Sequence, residues 1–482
     1  MPAVEDARVP GEDAAAVRPR LAWLPWGVSA GLFAAAAAVP MPAGLSRGGA
    51  YTLAALGAAL LFWASGVQDP SLTGLLVVSL LALLRVLPFA DALSGFGTEF
   101  VWLLAATFVI TQAMADVGLG RRIALRILRL ARGRSSGVLL ALLAAMVALS
   151  FMVPTAAGRV SMILPVVLGI IQAARLTPPS PFAKAMLVGT SQAAIMAGIG
   201  LVTAAGATVY AAGAFASLVG VRWAYLAWFA AFFPVVVVFV VALWQILLRV
   251  FPPEQEELAG GAAYVEEELR RMGPLSAGER KMLAVYLLIF VLWIFGPRWG
   301  ITTSQAGTLG MLLLLLPGLR VLSWERALAA IRWNVIILFA ISLALAAALD
   351  RSGAGLWLTG ATMGLLHRPS PLLLVLVLAP LVILIRVGFV NNLGMIAATL
   401  PLAFTLARGW GLNPVWVGMV VVLTAGPGFL LPTQTPTGMI TLGTEYYAIG
   451  DYLRSGVPAS VVLLLLTWLA ALVYWPLLGY RP

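Results

Sequence analysis

Apolar runs of roughly 20 residues, long enough to cross a bilayer, recur along this chain and are joined by short polar or arginine-bearing stretches. The pattern predicts helices at about 21–40, 50–66, 70–89 and 100–117, then 223–249, 281–298, 303–320, 333–350 and 456–478. Two stretches break it in a similar way: Phe151–Pro165, FMVPTAAGRVSMILP, and Arg386–Pro401, RVGFVNNLGMIAATLP. Backbone groups freed beside Pro154 and Gly158, and the charge of Arg159, each cost several kcal/mol in hydrocarbon. Such segments therefore lie inside protein or line a wet cavity, as a solute site does.

The two breaks are related. Thr155 to Asn391 and Pro165 to Pro401 are both 236 positions apart, and 235 separate Gly118 from Gly353 and Gly120 from Gly355. We read two copies of one unit. Each break becomes the tip of a re-entrant hairpin, at 136–175 and 371–408. Two further stretches are expected to be unwound midway: 183–214, rich in glycine and threonine, and 426–443, GPGFLLPTQTPTGMITLG, whose proline density no continuous helix tolerates. Counting the first hairpin as no net crossing leaves five crossings between the copies, and an odd number inverts the second copy.

Between helix and hairpin, residues 118–134 (GLGRRIALRILRLARGR) read as an amphipathic interfacial helix with Arg122, Arg126 and Arg129 on one side. Six arginines there place it in the cytoplasm. Its counterpart, 351–369, has only Arg351, Arg368 and His367, an asymmetry that agrees with opposed copies. Residues 1–20 read as a cytoplasmic tail, 21–249 as the first half, 250–280 as a polar cytoplasmic linker and 281–482 as the second half.

Composition then excludes other classes. With 62% apolar and 10% charged residues the chain cannot clothe a soluble globule, and it is predicted to be an all-α polytopic membrane protein. The net charge of +11 belongs to joints between apolar runs, which points to topology and away from nucleic acid. One histidine and no cysteine leave little for a metal centre or a nucleophile, so a membrane-embedded enzyme is the weaker class. Arg159, Lys184 and Arg386 are the cations within or beside the hairpins, and between Asp116 and Glu254 there is no carboxylate. Permanently charged arginine at a desolvated site favours an anionic ligand.

Four blocks, LPFADALSGFGTEFVWLLAATFVITQAMADVGLGRRIAL, GPLSAGERKMLAVYLLIFVLWI, LSWERALAAIRWNVIILFAISLALAAAL and FLLPTQTPTGMITLGTEYYAIGDYLRSGVP, resemble the divalent anion:sodium symporter (DASS) family. The likeness runs from about Pro70 to Leu478. It implies eleven helices, an elevator mechanism, a homodimer, a bacterial inner-membrane location and transport of dicarboxylate, citrate or sulfate, with no organic cofactor. In that family each hairpin tip carries Ser-Asn-Thr; here the tips are Thr155, Ala156, Ala157 and Asn391, Asn392, Leu393. Asn392 matches in identity and Thr155 keeps a hydroxyl, while Thr435 and Pro436 match the family's later signature. Sodium near Thr155 and Asn392 is what the symporters of the family imply. Its exchanger-type members instead resemble this sequence in carrying an arginine four residues after the first tip, as Arg159 is.

The reading is a secondary transporter of small dianions working by exchange, with sodium symport as the alternative. Thr155, Asn391 and Asn392 are expected to hydrogen-bond the solute, with Gly198, Gly200, Thr433, Thr435 and Pro436 completing the pocket and Arg159 and Arg386 compensating charge. The topology is testable in this cysteine-free chain. Single cysteines at Ser135 and Ala262 should be shielded from an impermeant thiol reagent applied to intact cells, and labelling of both from outside would overturn it.

Overall fold

The computed structural model describes residues 23–65, 67–365, 369–390 and 392–482. The expected tail, His367, Arg368 and Asn391 lie outside the described residues. All helices and no strands make up the regular structure among the described residues. Eight helices are long and apolar enough to cross a membrane, fewer than the eleven expected. The two sets differ in membership: the predicted helices at 21–40, 70–89 and 303–320 form the shorter Leu24–Ala38, Pro70–Leu83 and Thr303–Leu315, the interrupted stretches form half-length pieces, and the hairpin arms Ala156–Ala173 and Pro371–Gly388 are among the eight.

One order of elements occurs twice. Arg47–Ser65, Pro70–Leu83, Phe89–Leu93, Glu99–Val117 and Leu119–Arg129 lead into the hairpin Ser135–Ser150 and Ala156–Ala173. The interrupted pair Pro181–Ala197 and Gly206–Ala214 follows, and Tyr225–Val250 ends the unit. The second unit repeats this as Ala277–Phe295, Thr303–Leu315, Trp324–Ala330, Trp333–Arg351, Ala354–Leu365, the hairpin Pro371–Ile385 and Asn392–Gly409, the pair Pro414–Ala425 and Pro436–Leu442, and Ile449–Leu469. Gly118 and Gly353 stand just after Glu99–Val117 and Trp333–Arg351, with φ of 75° and 72°. A left-handed residue there stops each helix, and glycine adopts it without strain. The units are interlocked, because Glu99–Val117 packs on Thr303–Leu315 and Trp333–Arg351 packs on Pro70–Leu83.

The linker at 250–280 is more than a polar joint. Ala259–Met272 is a helix docked on Ala156–Ala173 and Leu119–Arg129. A Cβ on Gly260 would lie 2.1 Å from the Ala173 carbonyl oxygen, so a side chain there would push the two helices apart. Its acids meet the arginine-rich helix: Glu268 with Arg121, Glu266 with Arg129 at 3.1 Å, and Glu279 with Arg122 at 2.5 Å. Arg122 is therefore buried, where the sequence pattern put it on an exposed charged side; it also donates to the carbonyls of Met272, Gly273 and Pro274. Ser135 is buried too and donates to the Gln255 carbonyl, so exposed Arg132 and Glu256 are better labelling positions for the same test.

The Arg122–Glu279 pair is 5% and 2% exposed. Removing one member strands the other charge, at about 3–5 kcal/mol. Glu279→Gln, which keeps an acceptor for the Ser276 amide, should lower the unfolding midpoint in detergent by several degrees. Arg122→Met with Glu279→Met should restore part of it; equal loss in single and double variants would refute the coupling.

Candidate functional site

Four helices begin around one cavity. Pro154 ends the turn after Ser135–Ser150, and extended Thr155 caps Ala156–Ala173 by accepting the Gly158 amide at 3.1 Å. Extended Ala205 precedes Gly206–Ala214 after the interruption that follows Ala197. Thr435, also extended, caps Pro436–Leu442 by accepting the Gly438 amide at 3.2 Å. The fourth start is that of Asn392–Gly409.

The cavity between them is about 280 Å³, lined on this side by Thr155, Ala156, Ala157, Ala205, Gly206, Ala207, Asn392, Leu393, Thr435, Pro436 and Thr437. Free amides at helix starts, backed by the helix dipole, make positive potential without a charged side chain. The facing wall is Phe108, Val335 and Leu338, with Asp69, Arg332 and Asn334. Asp69 is already committed as the cap of Pro70–Leu83. Partial burial pushes its carboxyl up, but hydrogen bonds from Ser71, Asn334 and Leu72 outweigh that and hold it below the usual carboxylate range. Hydroxyls brace the other side, where Ser191 Oγ donates to Thr437 Oγ1 at 3.1 Å and Thr437 lies 3.1 Å from Thr435 Oγ1.

Behind the tips lie two guanidinium groups at 0% and 1% exposure. Arg159 donates to the carbonyls of Val153 at 2.6 Å, Ala204 at 3.0 Å and Ala194 at 2.7 Å. Arg386 donates to the carbonyls of Phe389 and Gln434, the latter at 2.7 Å, and to Asn392 Oδ1 at 3.2 Å. Val153 and Phe389 are 236 positions apart, like the tips themselves. Ala204 and Gln434 each stand just before the cap of the helix that follows an interruption. Each arginine thus joins the same two carbonyls of its own unit, although Arg159 comes from the arm after the tip and Arg386 from the arm before it. Neither makes an ion pair with a carboxylate among the described residues.

Of the residues singled out from sequence, Thr155, Asn392, Thr435 and Pro436 line the cavity. Arg159 and Arg386 do not; they stand one layer back on the carbonyls. Gly198 lies against Arg159, where a Cβ would be 3.2 Å from Nη2, and Gly200 faces Phe233 and Val236. Thr433 is exposed and outside the lining. Asn391 lies outside the described residues. Sequence reasoning missed Arg332, Asp69 and Asn334, which sit in joints where their charge and polarity read as topology. It also missed the Gln434 side chain, which donates to the Arg386 carbonyl at 3.0 Å and accepts from the Leu431 amide at 2.7 Å. Among the described residues no group of three His, Cys, Asp or Glu could hold a metal ion.

The family model described as the sodium:sulfate symporter transmembrane region matches residues 23–480. A protein of Cupriavidus necator named membrane protein is 29% identical over 476 residues, covering 93% of both chains. The sodium-dependent dicarboxylate transporter SdcS of Staphylococcus saprophyticus is 28% identical, covering 85% of this chain and 82% of that one. The protein of the same name from Staphylococcus aureus is 26% identical, covering 90% and 88%. In fold, the chain resembles the YdaH transporter of Alcanivorax borkumensis, with a TM-score of 0.52 at 14% identity over 83% of this chain and 90% of that one.

Replacing Arg159 by Met would leave three buried carbonyls without their donor, at about 1–3 kcal/mol each. Arg159→Met should therefore lower the thermal unfolding midpoint well beyond Arg298→Met, an exposed arginine on a loop-proximal turn. Equal midpoints for the two variants would contradict the carbonyl cage.

Proposed function

The chain belongs to the sodium:sulfate symporter family, and from that premise we propose that it exchanges small dianions, dicarboxylates such as succinate or malate, or citrate. It is an integral membrane transporter and not an enzyme. In this reading it acts as a homodimer in a bacterial inner membrane, with the hairpins moving as part of an elevator.

The dianion sits among the four helix starts, where Asn392 donates its amide, Thr155 its hydroxyl, and backbone amides the remaining hydrogen bonds. The observation that carries exchange is the pair of guanidinium groups on equivalent carbonyls. A ring of tip and pre-cap carbonyls suits a cation that arrives and leaves, as a coupling ion does. Here the carbonyls of Val153, Ala204, Phe389 and Gln434 accept from side chains that cannot leave. Two buried positive charges match the two negative charges of a dianion. Empty, the mobile part would carry them uncompensated across the bilayer, at a cost of several kcal/mol. It returns quickly only when loaded, and so exchanges.

Sodium-coupled symport is the second reading, favoured by the relatives that are named sodium-dependent dicarboxylate transporters. Proteoliposomes separate the two. Uptake of labelled succinate, malate or citrate should require unlabelled dianion inside and ignore an inward sodium gradient. Gradient-driven uptake into vesicles empty of dianion would replace exchange by symport.

A further inference from the structure

Among the described residues that line the cavity one is cationic, Arg332, and it belongs to the wall facing the hairpin tips. It precedes Trp333–Arg351, is exposed, and has no ion pair or side-chain hydrogen bond among the described residues. Its guanidinium is free to reach a ligand. Nearby Asp69 is occupied by its own helix cap.

The repeat shows what stands at the corresponding place in the other unit. Glu99–Val117 is the equivalent of Trp333–Arg351, so the capping position of Arg332 is taken by Thr98. Likewise Thr302, which caps Thr303–Leu315, stands where Asp69 caps Pro70–Leu83. There Thr302 donates to Glu99 at 3.0 Å, and Arg222 pairs with Glu99 at 3.4 Å. One end thus offers a free guanidinium, and the other a carboxylate whose arginine is engaged. With the units opposed these ends lie on opposite membrane faces. Arg332 shares its face with the arginine-rich helix, since Arg326 of the same joint pairs at 3.1 Å with Asp116, near the end of Glu99–Val117.

We propose that Arg332 is a solute-binding residue of one face only. It grips a negative group of the dianion while the cavity opens on its side, and has no cationic equivalent when the mobile part faces Thr98 and Glu99. The carrier then binds its dianion more tightly on the face of residues 118–134 than on the other. This inference rests on the cavity being the solute site.

The test is KM for labelled succinate in right-side-out and everted vesicles preloaded with succinate. Arg332→Gln should raise KM about tenfold on the Arg332 face, the worth of a charge-assisted hydrogen bond, and leave the opposite face within twofold. Arg332→Lys, which keeps the charge and loses the fork, should fall between, and Arg280→Gln, an exposed arginine outside the cavity, should change neither. Equal KM changes on both faces, or none, would overturn the assignment. If Gln abolishes flux, the face-specific KM of the Lys variant decides. Asn392→Ala separates the two levels of failure: intact transport in that variant rejects the cavity, whereas lost transport beside a silent Arg332→Gln rejects Arg332 alone.

Discussion

A helix interrupted inside a membrane leaves carbonyl oxygens that neither lipid nor its own next turn can satisfy. Everything at the centre of this protein follows from how those oxygens are supplied with donors. Interruptions at 198–205 and 426–435 free the groups, and Arg159 and Arg386 reach them from the hairpins. The same interruptions expose the amides of the following helix at the opposite end of the gap. Donors and acceptors are thus separated, with guanidinium groups holding the carbonyls behind and free amides facing the cavity in front. In the proposed reading, this backbone, which would otherwise be a defect, becomes a site that favours negative charge.

Much of this was legible in the sequence because it rests on local rules. Pro154 and Thr155, with Asn391 and Asn392 in the second unit, mark where the helix breaks, and the constant offset of Thr155 to Asn391 and of Pro165 to Pro401 marks the two arms as equivalents, although both prolines lie inside continuous helices. The positions of the arginines were legible too, but not their partners. Arg159 and Arg386 lie on different arms, so spacing alone offers no reason for them to meet equivalent carbonyls; that convergence depends on side-chain reach in three dimensions. Arg332 was hidden for another reason. A charge in a joint between apolar runs carries the same sequence signal whether it orients a helix or faces a cavity.

The linker shows a related limit. Its acidic and basic residues read as solvated, and Glu267 with Arg270 and Arg271 indeed forms exposed local pairs. Burial of Arg122 and Glu279 depends instead on a contact across 157 positions, with the carbonyls of Met272, Gly273 and Pro274 filling the guanidinium's other donors. Such satisfaction of every hydrogen bond is what makes a buried charge tolerable.

The docked linker has a mechanical consequence. Ala259–Met272 is fastened to the first hairpin, while Ala277–Phe295 belongs to the second unit, and only residues 273–276 lie between them. That connection works as a leash. Fully extended, the five steps from Met272 to Ala277 reach about 17 Å, which, in the proposed elevator motion, would limit how far the linker helix and its hairpin travel from the start of Ala277–Phe295 without undocking or unwinding a helix end. In that proposed motion, lengthening or tightening the leash would act on stroke length, a property that no residue of the cavity controls.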